Sequence, residues 1–78
     1  MSIINTLQAC GIDSFIHEST GVLTLDGVEY DVTAIILGED ISDAQKKALQ
    51  RRKSVLKVGT AQYRYAPEII YPVVYFKI

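Results

Sequence analysis

The chain has 78 residues, with eight Lys and Arg against nine Asp and Glu for a net charge of −1, one histidine and one cysteine. That length suits a single domain, 1–78, burying only about 60% of the surface its unfolded chain exposes, and an apolar fraction of 49% argues for a core and against disorder. A lone cysteine excludes an internal disulfide and fits a reducing compartment; one Cys and one His fall short of the roughly four ligands of a structural zinc site, and no run reaches the roughly 20 apolar residues of a membrane span.

In chain order, Met1 to Cys10 has no basic leader and polar residues break its apolar run, so no signal peptide is expected and the product reads as soluble and intracellular. Ser2 is placed to cap a short helix whose Ile3, Ile4, Leu7 and Cys10 recur at helical spacing. Gly11 then supplies a left-handed stop, and Ile12 folds back on the last turn. On that stripe Cys10 reads as a buried thiol rather than a nucleophile. Asp13 to Glu18 alternates like a short strand, and His17 within it lacks metal or catalytic partners.

Asp26-Gly27 between Val22-Leu23-Thr24-Leu25 and Val28-Glu29-Tyr30-Asp31-Val32 predicts a hairpin with a type I′ turn. Leu25 then faces Val28, Leu23 faces Tyr30, and Thr24 faces Glu29. Alternation is lost over Thr33 to Leu37, which implies cover on both faces. Gly38 to Ile41 reads as a turn and Ser42-Asp43-Ala44-Gln45 as a capping box. The helix it opens is expected to run to about Lys53 on a stripe of Ile41, Ala44, Ala48 and Leu49. Val55 to Thr60 returns to strand, and Tyr63 and Tyr65 alternate with Gln62 and Arg64 as on one strand face. Pro67 should break that strand. Ile69 to Ile78 reads as the last one, at an edge or with a bulge because Pro72 cannot donate to a ladder. The fold class expected is α+β: a small, mainly antiparallel sheet with two short helices packed on it or at its end, with a partly open barrel as the main variant.

Charge is split along the chain. All eight cations follow residue 45 and all acids but Glu68 precede it. Lys46, Lys47, Arg51, Arg52 and Lys53 form one candidate partner-binding surface, and Glu29, Asp31, Glu39 and Asp40 the other. Two complementary surfaces on one subunit favour head-to-tail contacts, which close into a ring where the rotation permits. The plainer explanations are that acids before a helix favour its dipole, that charge runs are solvated faces, and that the two sets neutralise each other within the monomer. A weak contact of the basic helix with nucleic acid, aided by Tyr63 and Tyr65 stacking on bases, is an alternative. No Gly-rich phosphate loop, Gly-x-Ser-x-Gly or CxxC is present, so no catalytic residue, cofactor or metal is assigned and a non-enzymatic protein is expected.

The stretch Gly27-Val28-Glu29-Tyr30-Asp31-Val32-Thr33-Ala34-Ile35-Ile36-Leu37, a polar excursion, and then Ser54-Val55-Leu56-Lys57-Val58-Gly59-Thr60-Ala61 resembles small tailed-phage head-tail joining or tail-attachment proteins. These carry a similar V-T-A-I segment and, after an insertion, a similar L-x-V-x-T-A segment, behind an N-terminal helix. The resemblance implies a virion component without catalysis, made in the bacterial cytoplasm, whose subunits form a ring at the portal vertex or tail end and contact neighbouring virion proteins. Tyr71, Tyr75 and Phe76 would then be an adhesive edge, or else the domain's own core. A different reading of the same features is a phage-encoded inhibitor or regulator of a host protein, for example a defence enzyme.

Overall fold

Asp26 and Gly27 both adopt positive φ, 50° and 80°, as the two-residue turn requires. From that turn the hairpin zips in the expected register, Leu25↔Val28, Thr24↔Glu29 and Leu23↔Tyr30, and continues as far as Phe15↔Leu37 with one irregularity between Phe15 and His17. The computed structural model describes residues 3–78, so the expected cap at Ser2 lies outside the described residues. Its elements are α1 (Ile3–Ala9), β1 (Phe15–Leu25), β2 (Val28–Leu37), α2 (Asp43–Gln50), β3 (Val55–Tyr63) and β4 (Ala66–Lys77). The strands form one antiparallel sheet in the order β1-β2-β4-β3, and the chain is an α+β fold of four strands and two short helices. Among the described residues no helix is long and apolar enough to cross a membrane.

Four local expectations are corrected. The strand at Asp13 to Glu18 is not separate from the hairpin, because Ser19, Thr20 and Gly21 pair with Ala34, Thr33 and Val32 and carry β1 through the glycine; ladder partners for the backbone outweigh weak strand propensity. The second helix stops at Gln50 rather than near Lys53. Arg52 N–H donates to the Leu49 carbonyl at 3.0 Å and Val55 N–H to the Arg52 carbonyl at 3.1 Å, a tight reversal that delivers Val55 to the core and leaves Lys53 in the turn. The strand after it runs on to Tyr63, Arg64-Tyr65 make the next turn, and β4 begins at Ala66 and takes in Pro67. Finally, β4 is central rather than an edge. Its ladder with β2 ends at Ile36↔Val73, so at Pro72 the strand has only β3 beside it and is locally an edge.

Both helices lie on the same face of the sheet. Ile35 pairs with Val74 and Thr33 with Phe76, while Val58 and Val55 on β3 pair with the same two β4 residues. Of these, Ile35, Val74, Phe76 and Val55 meet Leu7, Cys10, Ile12, Leu37 and Leu49 in one buried cluster, against which Ile3, Ile41, Ala48 and Val58 pack. Ala44, expected on the apolar stripe of α2, is exposed. Cys10 is a buried free thiol.

Short-range devices hold the helices there. At the end of α1, Gly11 N–H donates to the Gln8 carbonyl and Ile12 N–H to the Leu7 carbonyl, both at 2.9 Å, with Gly11 at φ 75°. This paired pattern is a Schellman stop, and it brings Ile12 back against Leu7. The expected capping box is present at Ser42 and Gln45. The Gln45 amide does more than cap, since its Nε2 also donates to the Cys10 and Gly11 carbonyls at 3.3 and 3.2 Å. One side chain therefore ties the start of α2 to the end of α1. Gly38 closes the corner between them: its N–H donates to the Ser14 carbonyl at 2.9 Å, and a Cβ there would collide with Ser14 Oγ.

If the core is one-sided in this way, the two phenylalanines should differ sharply. Phe76 is 1% exposed and Phe15 is 40% exposed. Phe76→Ala is expected to lose about 3–5 kcal/mol, the usual cost of deleting a buried aromatic side chain. Phe15→Ala is expected to lose less than about 1 kcal/mol. Urea unfolding monitored by far-UV circular dichroism checks both values.

Candidate interaction surfaces

The period of a strand is two, so every residue that does not face the helices faces the opposite way. On β2 these are Tyr30, Val32, Ala34 and Ile36, paired with β1 residues Leu23, Gly21, Ser19 and His17 on one side. On the other side Lys77, Tyr75 and Val73 of β4 oppose Val32, Ala34 and Ile36, and Lys57, Gly59 and Ala61 of β3 oppose Tyr75, Val73 and Tyr71. Val32 and Val73 are buried, at 3% and 1% exposure, yet stand outside the cluster beneath the helices. On that face a Cβ added at Gly59 would lie 3.8 Å from the Tyr75 ring and 3.9 Å from Val73 Cγ1.

No helix covers this second face, and the sheet curls over it instead. β1 and β3 are the outer strands, yet the rings of His17 and Tyr63 stand 5.6 Å apart at 46°. One corner of each edge thus meets through side chains across the face, while the four strands remain one open sheet. A hollow of about 270 Å³ lies within the curl, lined by Gly21, Val32, Ala34, Ile36, Ala61 and Val73 among others. A second, of about 460 Å³, is floored by His17, Gln62, Tyr63, Arg64 and Tyr65, and shares Ser19 and Ile36 with the first. The two make one trough.

The trough has a defined chemistry. Tyr63 and Tyr65 are in edge-to-face contact at 5.2 Å, and Arg64 reaches over the Tyr65 ring at 4.8 Å while its Nη2 donates to Tyr65 Oη at 2.6 Å. Outside the trough, toward the hairpin end of the same face, Lys77 Nζ sits 6.0 Å from the centre of the Tyr30 ring. With Tyr71 and Tyr75 between them, all five tyrosines of the chain stand on this face. Three of the strand carboxylates do not. Glu18, Glu29 and Asp31 pair at the alternate positions, opposite Ile35, Thr24 and Val22, and so project on the helix side.

The nine residues expected to bind partners fall into three patches rather than two surfaces. Lys46, Lys47, Arg51 and Lys53 are exposed and Arg52 is half-buried, along the second half of α2 and the turn after it. Glu39 and Asp40 are exposed at the opposite end of α2, where with Asp13 they border a small hollow beside Gly11 and Gln45. Glu29 and Asp31 are exposed on the hairpin, which projects beyond the end of β4 because the β2–β4 ladder begins at Val32↔Lys77. That places them at the cationic end: Lys77 N–H donates to the Ser54 carbonyl at 2.8 Å and Ile78 N–H to the Asp31 carbonyl at 3.1 Å. Among the described residues none of these cations forms an ion pair with a carboxylate; the cations with side-chain partners are Arg64 and Lys77, both on tyrosines.

The nucleic-acid site expected from the basic helix together with Tyr63 and Tyr65 is not assembled as one surface. The helix and the tyrosines lie on opposite faces of the sheet. Reading the sequence for local runs missed Tyr30, Tyr71, Tyr75, Lys57 and Lys77 as a group, because they are scattered over three strands. The signal that finds them is the phase of alternation, once Ile35 and Val74 are known to face the helices. Compared with known proteins, the chain matches no family model, no curated protein and no solved structure.

The contact that draws the two sheet edges together should be measurable. A double-mutant cycle of His17→Ala and Tyr63→Ala is expected to give a coupling of about 0.5–1.5 kcal/mol, in the range of aromatic pairs. Additive losses in denaturant unfolding would mean that the corner is open in solution.

Proposed function

We propose that the protein is a non-enzymatic assembly protein whose subunits associate head to tail through the two ends of α2, in a role of the head-tail joining kind that its strand segments resemble. On this reading it is made in the bacterial cytoplasm and incorporated into the virion. The observation that carries it is the polarity of α2 together with its lack of internal compensation. Glu39 and Asp40 stand before one end and Arg51, Arg52 and Lys53 beyond the other, with Asp43, Lys46 and Lys47 on the helix between them, and no ion pair among the described residues absorbs either set. Eight helical residues separate the ends, a rise of roughly 12 Å, beyond the Debye length of about 8 Å at physiological ionic strength. Each end therefore presents its own field to a neighbour.

The helix dipole explains why the charges sit where they do on α2. It does not consume them: a cation near a helix C-terminus remains exposed and able to meet an acid on another subunit. Contacts between opposite ends of identical subunits are heterologous, and such contacts form closed rings or open filaments. Glu29 and Asp31 lie beside the cations of their own subunit and orient the approaching neighbour rather than receive it.

Light scattering coupled to size exclusion tests this reading. Wild type is expected to form oligomers at low salt that dissociate as salt is raised. Arg51→Glu with Arg52→Glu, and separately Glu39→Lys with Asp40→Lys, should each give monomers, and all four substitutions in one chain should restore assembly. A wild type that stays monomeric at high concentration and low salt, or pair variants that assemble as wild type does, would refute it.

A further inference from the structure

We propose that the open, curled face of the sheet binds single-stranded nucleic acid without sequence preference, its tyrosines receiving bases and Lys57, Lys77 and Arg64 receiving phosphates. This inference rests on the second face of the sheet and is independent of the contacts proposed for α2.

Three observations converge on that ligand. All five tyrosines of the chain stand on one face, along with His17, and both phenylalanines are elsewhere: Phe76 lies in the core under the helices and Phe15 pairs with Leu37 on the helix side. The cations on that face alternate with the rings. Lys57 opposes Tyr75, Lys77 lies over Tyr30, and Arg64 lies over Tyr65. The regularly paired strand carboxylates, Glu18, Glu29 and Asp31, all project from the other side, in a chain that has more acids than bases. A polyanion lying on this face therefore meets rings and cations and none of these three carboxylates.

Stacking explains why the ligand is a single strand. Each base has a free π-face that an aromatic side chain can meet, and this contact is tolerant of sequence. The bases of a duplex are stacked on one another and offer no such face. An acidic peptide would satisfy the cations but leave the rings without flat partners. The tyrosines are also distributed as a path rather than a cluster: Tyr30 at the hairpin end, Tyr75 and Tyr71 along β4, then Tyr63 and Tyr65 at the far corner, with the apolar trough between them. Tyr71 and Tyr75 are four residues apart on β4, roughly 13 Å along the strand, so these rings can take separate bases of an extended chain.

The expected affinity is modest and strongly dependent on salt, because only three cations take part and the acids elsewhere oppose approach. Three phosphate contacts on a single strand predict a log–log salt slope of about −2, at about −0.7 per contact.

Fluorescence anisotropy with labelled oligothymidylate and oligouridylate measures this, beside a duplex of equal length and polyglutamate as a polyanion without bases. Tyr65 is 70% exposed, so Tyr65→Ala leaves the fold intact and is expected to weaken binding by about tenfold, within the range found for single base–aromatic stacks. Lys57→Ala with Lys77→Ala should bring the slope to about −0.7. Arg51→Ala with Arg52→Ala, which disturbs the proposed assembly, should leave oligonucleotide binding unchanged. Circular dichroism of each variant confirms that it is folded. Absence of oligonucleotide binding at low salt, equal binding of duplex or polyglutamate, or a loss caused by the α2 substitutions but not by those on the open face would each overturn the proposal.

Discussion

The rest of the structure depends on the seating of Ile35, Leu37, Val74 and Phe76 beneath Leu7 and Leu49. Two helices, of seven and eight residues, supply all the cover this sheet receives, and they are too short to be stable by themselves. Their stability comes from the cluster they complete. The Gln45 side chain links them by capping α2 and donating to the Cys10 and Gly11 carbonyls in the turn just after α1. Because both helices are spent on one face, the other must solve its exposure differently. There Gly21, Ala34, Gly59 and Ala61 are the small residues of the face, and Val32 and Val73 are buried among its strands.

That asymmetry separates two kinds of surface. The helix side carries the strand carboxylates and, along α2, the main group of cations, so its electrostatics vary over short distances and favour a partner with matched charges of both signs. The curled side carries rings, two lysines and an apolar floor. A structure with both is suited to contact with a neighbouring subunit on one side and a chain-like ligand on the other. The two contacts use different residues and can be separated by substitution.

How much of this could be read from the residues depended on the range of the interaction. The Asp-Gly turn, its register and the capping box are set within a few residues, and each is found where the chain text places it. The end of α2 was misjudged because the basic run Arg51-Arg52-Lys53 has good helix propensity, whereas the need to insert Val55 into a distant core ends the helix sooner. Pro72 points to an edge or a bulge, and strand order cannot be read locally; the sheet places β4 centrally and stops the β2 ladder one residue short of the proline. The charge patches were visible as residues but not as geometry. Glu29 and Asp31 share an end of the molecule with Lys53 only because β2 and β4 pair from Val32↔Lys77. The open face was illegible for the same reason: Tyr30, Tyr75 and Tyr63 share it through pairings between strands far apart in sequence.

Phase is the central claim, because shifting a strand by one residue would exchange its two faces. Nuclear Overhauser contacts between the leucine methyls of the helices and the aromatic rings measure it directly. The account predicts contacts from Leu7 and Leu49 to Phe76 and Val74, and none from either leucine to Tyr75 or Val73. Contacts from Leu49 to the Tyr75 ring, with Phe76 in solvent, would contradict the assignment of both faces and every functional conclusion drawn from them.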